Sequence, residues 1–224
     1  MCFSATVSFA TGTLLSLIGL LSLRACRTRK ELPLALVPVF FAIQQFSEGV
    51  VWKGFDWALD RHIYFVTHQV SVYIFLFFAL TVWPVWIPFS IWCLEKSTSR
   101  KNILLSILII GILVSMYQLG LLIYYGATAS IVSGHINYGL TRPQAFEMAG
   151  MLLYLMAVAI PFLITSVRYM YTFGLLVFLS VIINQFLFER AVFGSVWCFF
   201  AALLSFFVYF MLVKGRKPHK KTKN

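Results

Sequence analysis

Glu48 is the side chain best placed for chemistry, because it stands inside an otherwise apolar run. Gln44 precedes it by four residues and Gln45 by three, so in a helix all three share a face. Trp52 extends that face seven residues beyond Gln45. A carboxylate beside two amides can bind a cation, hold a proton or orient a small polar ligand. Such groups are costly inside a bilayer and mark function by default. His62, His68 and Gln69 open the next apolar run. Gln118 sits in the one after, and Asn184, Gln185 and Glu189 fall in a later one. His68 suits a metal ligand, a general base or a partner for Glu48. Its spacing from His62 is six, not the i, i+4 pair of zinc hydrolase helices. Glu48 and His68, with Cys2 near the first run and His135 in a loop, are the candidate ligands of a divalent transition metal. Gln44, Gln45, Glu48, Trp52, His68, Gln118, Asn184 and Gln185 are the candidate lining of a ligand pocket.

The elements that must position these groups follow from composition. Of 224 residues, 61% are hydrophobic and 11% charged. Soluble domains carry roughly 25% charged residues, so the chain needs lipid as its solvent. Charges divide it into apolar runs near 4–23, 32–54, 63–93, 103–126, 148–167, 170–188 and 191–213. Each is about the length of a membrane-spanning helix. The expected fold is an all-α bundle of seven transmembrane helices over 1–213, followed by a basic tail over 214–224. The run 63–93 is too long for an upright helix, and Pro84 and Pro88 are expected to kink it. The stretch near 127–147, with Gly134, Gly139 and Pro143, reads as a loop. No basic residue precedes the first run, so a cleaved signal peptide is not expected.

The formal charge is +11, yet the basic residues gather at the ends of runs, which speaks for topology rather than nucleic acid. Fourteen of the 18 fall on one side: Arg24, Arg27, Arg29, Lys30, Lys96, Arg100, Lys101, Arg168 and the six of the tail. Lys53, Arg61, Arg142 and Arg190 fall on the other. The richer side is cytoplasmic by the positive-inside rule, so the N-terminus is expected outside. The tail is expected to face anionic lipid.

This orientation puts the polar groups in the outer half. At 1.5 Å per residue, Glu48 lies about 9 Å deep, His68 about 8 Å, Gln185 about 5 Å and Gln118 about 12 Å. The inner halves carry hydroxyls such as Ser106 and Thr165, with no buried ionisable group expected. The pattern predicts a pocket open to the outside above a dry inner plug. No GxSxG, HExxH or P-loop motif occurs, and the four cysteines show no CxxC spacing.

The opening Met1-Cys2-Phe3-Ser4-Ala5-Thr6, then Ser8-Phe9, combines with Gln44-Gln45-Phe46-Ser47-Glu48-Gly49-Val50-Val51-Trp52. This pair of motifs resembles a group of small uncharacterised bacterial multi-pass membrane proteins. The resemblance covers mainly the first quarter of the chain. It implies a bacterial cytoplasmic membrane, places weight on Glu48 and the N-terminus, and implies no activity. A short N-terminal stretch tucked into the pocket would add Cys2 and Ser4 to it. The leading expectation is a sensor- or receptor-like protein binding a small polar ligand or cation. A membrane-embedded metal-dependent hydrolase or transferase is the alternative. A transporter or channel comes third, since the dry inner half offers no through path.

Overall fold

The computed structural model describes residues 4–56, 61–140, 147–167, 169–187, 202 and 205–214. Helix α1 (Ala5–Ala25) starts where the Ser4 hydroxyl accepts the Val7 N–H. A short helix α2 (Leu32–Ala35) precedes α3 (Val37–Asp56). They are separated by Leu36, two residues before Pro38. Helix α4 (Arg61–Leu76), a π-helical segment (Phe77–Val82) and α5 (Trp83–Leu94) follow one another directly. Helix α6 is Thr98–Tyr125, α7 Glu147–Ile164, α8 Met170–Leu187 and α9 Phe206–Lys214. The class is all-α. Four helices, Ala5–Ala25, Leu32–Phe55, Val66–Leu94 and Thr98–Tyr125, are long and apolar enough to cross a bilayer. They fit a multi-pass membrane protein in contact with lipid. Ala149–Ile164 and Met170–Ser180 are shorter apolar helices.

The expected kink in the third run takes the form of the π-helical segment. Pro84 has no N–H to give the Leu80 carbonyl, and its ring presses on that carbonyl. The backbone widens to relieve the clash. Two side chains from other helices hold the widened turn. The Tyr154 hydroxyl donates to the Ala79 carbonyl at 2.6 Å, and Ser115 Oγ donates to the Thr81 carbonyl at 2.7 Å. Pro88 frees the Pro84 carbonyl in the same way. Gly111 of α6 lies against that carbonyl, and a β-carbon there would collide with it. This glycine sets how closely α6 approaches α5.

The stretch expected to be a loop begins as a β-hairpin, β1 (Ala127–Val132) paired antiparallel with β2 (His135–Leu140). Ser133 and Gly134 turn it with positive φ at both positions, the geometry a two-residue hairpin needs. The hairpin folds back on the bundle. Gln69 donates to the Ala127 carbonyl at 2.7 Å, and Tyr138 stacks on Phe75 at 4.4 Å.

Two apolar clusters form the core. One joins Ala5, Val51, Trp52, Phe75, Leu122 and Ile136, so it takes in the hairpin. The other joins Leu15, Phe41, Trp83, Ile91, Val114 and Phe162 towards the opposite end. Helix α1 packs along α3, with α9 against α1, and α5 packs on α6 and α7.

Candidate functional site

Four successive segments cross from one apolar cluster to the other, and each is polar at the crossing. On α1, Ser8 and Thr11 lie between Ala5 and Leu15. On α3, Gln44, Gln45, Ser47 and Glu48 lie between Ala42 and Val51. Thr81 lies between Ala79 and Trp83. On α6, Ser115 and Gln118 lie between Val114 and Leu122. Each helix runs through the strata in the opposite sense to the one before, which brings these polar positions to one level. Contacts along α1 and α3 support the level directly. Phe46 lies over Gly12 and Phe9 over Gly49, so Ser8 and Glu48 both adjoin the Phe9–Gly49 contact.

The α3 part of the layer is deeply buried. Gln44, Gln45 and Glu48 are 0% exposed. These three residues of the expected outward pocket are thus wholly buried. The hairpin-side cluster, with Ala127 and Ile136 of the hairpin in it, borders the layer on one side.

Within the layer, hydrogen bonding is uneven. Gln44 Oε1 accepts the indole N–H of Trp83 at 2.9 Å, so this amide ties α3 to α5. Gln45 Nε2 points to Glu48 Oε2 at 3.4 Å, a long contact. Gln45 Oε1, Gln118 Oε1, Ser8 Oγ and Thr81 Oγ1 are buried with no hydrogen-bond partner among the described residues. Trp52 Nε1, at the edge of the hairpin-side cluster, is in the same condition. Buried polar atoms without partners are uncommon, and in native proteins they mark a bound water, ion or ligand or a working group. Gln118 lies beside Gly150 of α7, which brings a fifth segment to the layer.

His68 turns to the backbone of α3. Its Nδ1 lies 3.1 Å from the Val51 carbonyl. A carbonyl can only accept, so Nδ1 carries the proton and donates, and in the neutral ring Nε2 is left as an acceptor. The imidazole occupies the space over Gly54 that any side chain there would fill, with Phe55 edge-on at 4.9 Å. His68 thus braces α4 against the end of α3.

Glu48, His68 and His135 do not assemble as a metal set. Among the described residues no group of three or more His, Cys, Asp or Glu side chains comes together. The physical reason is that His68 turns to α3 backbone while His135 is buried in the hairpin. Cys2 and Glu189 lie outside the described residues. So do the side chains of His62, Asn184 and Gln185.

A second buried acid, which residue types did not single out, lies just beyond the apolar run 63–93. Glu95 follows α5 and is 4% exposed. Its Oε1 accepts the Lys96 and Ser97 N–H groups, both at 2.9 Å, and the Ser166 hydroxyl at 2.6 Å. Its Oε2 accepts the Thr165 hydroxyl at 2.8 Å and the Ser166 N–H at 2.7 Å. Burial alone would push the carboxyl up. The bonds from Ser166, Ser97 and Thr165 outweigh it and hold the group at about 2. The carboxylate clasps the α5–α6 connection to the α7–α8 connection, where Tyr169 adopts a left-handed φ of 68°. A Glu-Lys-Ser-Thr-Ser run after an apolar helix signals a helix end. The partners lie about 70 residues on, and no sequence spacing reveals them.

A family model for a family of unknown function, DUF6629, matches residues 1–223, so the chain belongs to that family. This agrees with the uncharacterised family expected from the motifs. Comparison with curated proteins and with solved structures returned no match.

Proposed function

We propose that this member of DUF6629 is a membrane receptor or sensor whose polar layer, centred on Glu48, Gln45 and Gln118, binds a small polar ligand or cation. The observation that carries the reading is the layer itself. Four segments place polar residues between two apolar clusters, and several of their buried oxygens have no partner among the described residues. A purely structural layer would satisfy itself, as Gln44 and Trp83 do.

In this reading the chain crosses the membrane seven times with its N-terminus outside. The hairpin covers the layer from the outer face. The cytoplasmic end carries the basic tail against anionic lipid of a bacterial cytoplasmic membrane. Asn184 and Gln185 on α8 would join the lining. Binding would repack the π-helical segment, whose Thr81 adjoins the layer and whose carbonyls are held by α6 and α7. Isolated π-turns of this kind occur often at functional sites.

The test is a thermal-shift screen of small polar solutes on the detergent-purified chain, with Gln45→Leu as control. A solute that raises the melting midpoint of the wild type and not of the variant supports the reading. A wild type indifferent to every solute overturns it. Elemental analysis of the same sample examines the metal-dependent alternative, which predicts one transition metal per chain.

A further inference from the structure

The open hydrogen-bonding capacity of the layer is lopsided. Among the described residues its unpartnered buried side-chain atoms are Gln45 Oε1, Gln118 Oε1, Ser8 Oγ and Thr81 Oγ1, all oxygens. Gln45 has already turned its N–H groups towards Glu48, which fixes its carbonyl as the open end. Trp52 Nε1, at the edge, is the donor in the same condition. The two amide oxygens can only accept and the two hydroxyls can accept as well as donate, a set that a donor-rich or positively charged occupant satisfies.

Ligand type narrows the class. Soft transition metals draw on thiolates or imidazoles, and the described residues bring no three His, Cys, Asp or Glu together. Amide, hydroxyl and carboxylate oxygens are the ligands of hard cations. Charge narrows it further. Glu48 is the one carboxylate among the described layer residues, so they can balance at most one positive charge. A divalent ion would leave net charge in an apolar interior, where uncompensated charge is strongly disfavoured. Size narrows it again, because Gln45 and Glu48 are wholly buried between packed clusters.

From these observations, and resting on the binding reading above, we infer that the layer takes a single small monovalent cation, coordinated by oxygens of Glu48, Gln45 and Gln118 with the hydroxyls of Ser8 and Thr81. An alkali ion and ammonium share this chemistry. A bulky quaternary ammonium does not.

The test uses the full chain in detergent at constant ionic strength. Choline chloride is replaced stepwise by sodium, potassium or ammonium chloride while the melting midpoint is followed. The expected result is a saturable rise with at least one small cation. Its half-maximal concentration should rise at least tenfold in Glu48→Gln and severalfold in Gln118→Leu. A rise with sodium or potassium supports an inorganic ion, and a rise with ammonium alone supports an amine-type cation. No rise with any of the three, where neutral polar solutes do raise the midpoint, overturns the cation and leaves the binding layer standing. Indifference to every solute overturns both. Should Glu48→Gln fail to fold, Gln118→Leu carries the comparison.

Discussion

Glu48 and Glu95 are both buried carboxylates, and their surroundings differ in kind. Glu95 sits between two interhelical connections, where backbone N–H groups and hydroxyls are available to point at it. Five of them do, and all are neutral. Glu48 sits mid-helix, where the backbone N–H groups are spent on the helix itself. Help there must come from side chains such as Gln45, and Gln45 and Gln118 of the same layer retain open oxygens. The difference teaches that burial of an acid does not by itself signal function. A carboxylate saturated by donors is a clasp that fixes two loops. A carboxylate in a layer that holds unpartnered oxygens is the one on which the binding reading turns.

Removing the clasp should give the largest effect. Glu95→Ala strips five hydrogen bonds from a buried carboxylate, that of the buried Thr165 among them, so a loss of about 3–5 kcal/mol is expected. Denaturation of the purified variant beside wild type measures it. A loss below about 1 kcal/mol would break the comparison.

Acid should undo the clasp next. The Glu95 carboxyl is held at about 2 against an ordinary 4.5. Because its folded value is the lower one, its contribution is present above pH 4.5 and is lost as pH falls towards 2. The loss should amount to roughly 2–3 kcal/mol. Melting midpoints recorded across that window should fall in the wild type and stay nearly level in Glu95→Gln.

The two glutamines of the layer sharpen the contrast at smaller scale. Gln44→Leu orphans the Trp83 indole N–H, and a cost of about 1–3 kcal/mol is expected. Gln45→Leu removes an unpartnered oxygen and only the long 3.4 Å contact to Glu48, so a smaller cost of about 1 kcal/mol or less is expected in the apo protein. Equal losses in the two variants would mean that Gln45 is as structural as Gln44.

Glu48→Gln should alter apo stability least and ligand response most. The substitution keeps the shape and removes the charge, so the expected change in melting midpoint without ligand is about a degree or two, on the order of 0.5 kcal/mol. A collapse comparable to Glu95→Ala would place the two acids in one class.

Much of the fold was legible because it depends on local composition. Low charge and long apolar runs require lipid and helices. Pro84 announced a distortion, and Gln44, Gln45 and Glu48 announced a shared buried face. The Ser133-Gly134 turn between alternating residues was also legible as a hairpin, and reading the stretch as loop undervalued it. The site was legible as a depth, since each polar residue sits a countable distance along its own helix. The packing of the hairpin was not, because its place is set only once β1 meets Gln69 and Tyr138 meets Phe75.

The sequence by itself determined that this chain is an all-α membrane protein and that its acids and amides lie within or beside apolar helices. Those are consequences of solvent and of helical period, which act residue by residue. Tertiary structure decided the rest. It paired Gln44 with Trp83, turned His68 to the Val51 carbonyl and gathered Thr165 and Ser166 onto Glu95. A hydrogen bond depends on about 3 Å of separation and on direction. Neither is encoded in the spacing of residues on different helices until the helices pack.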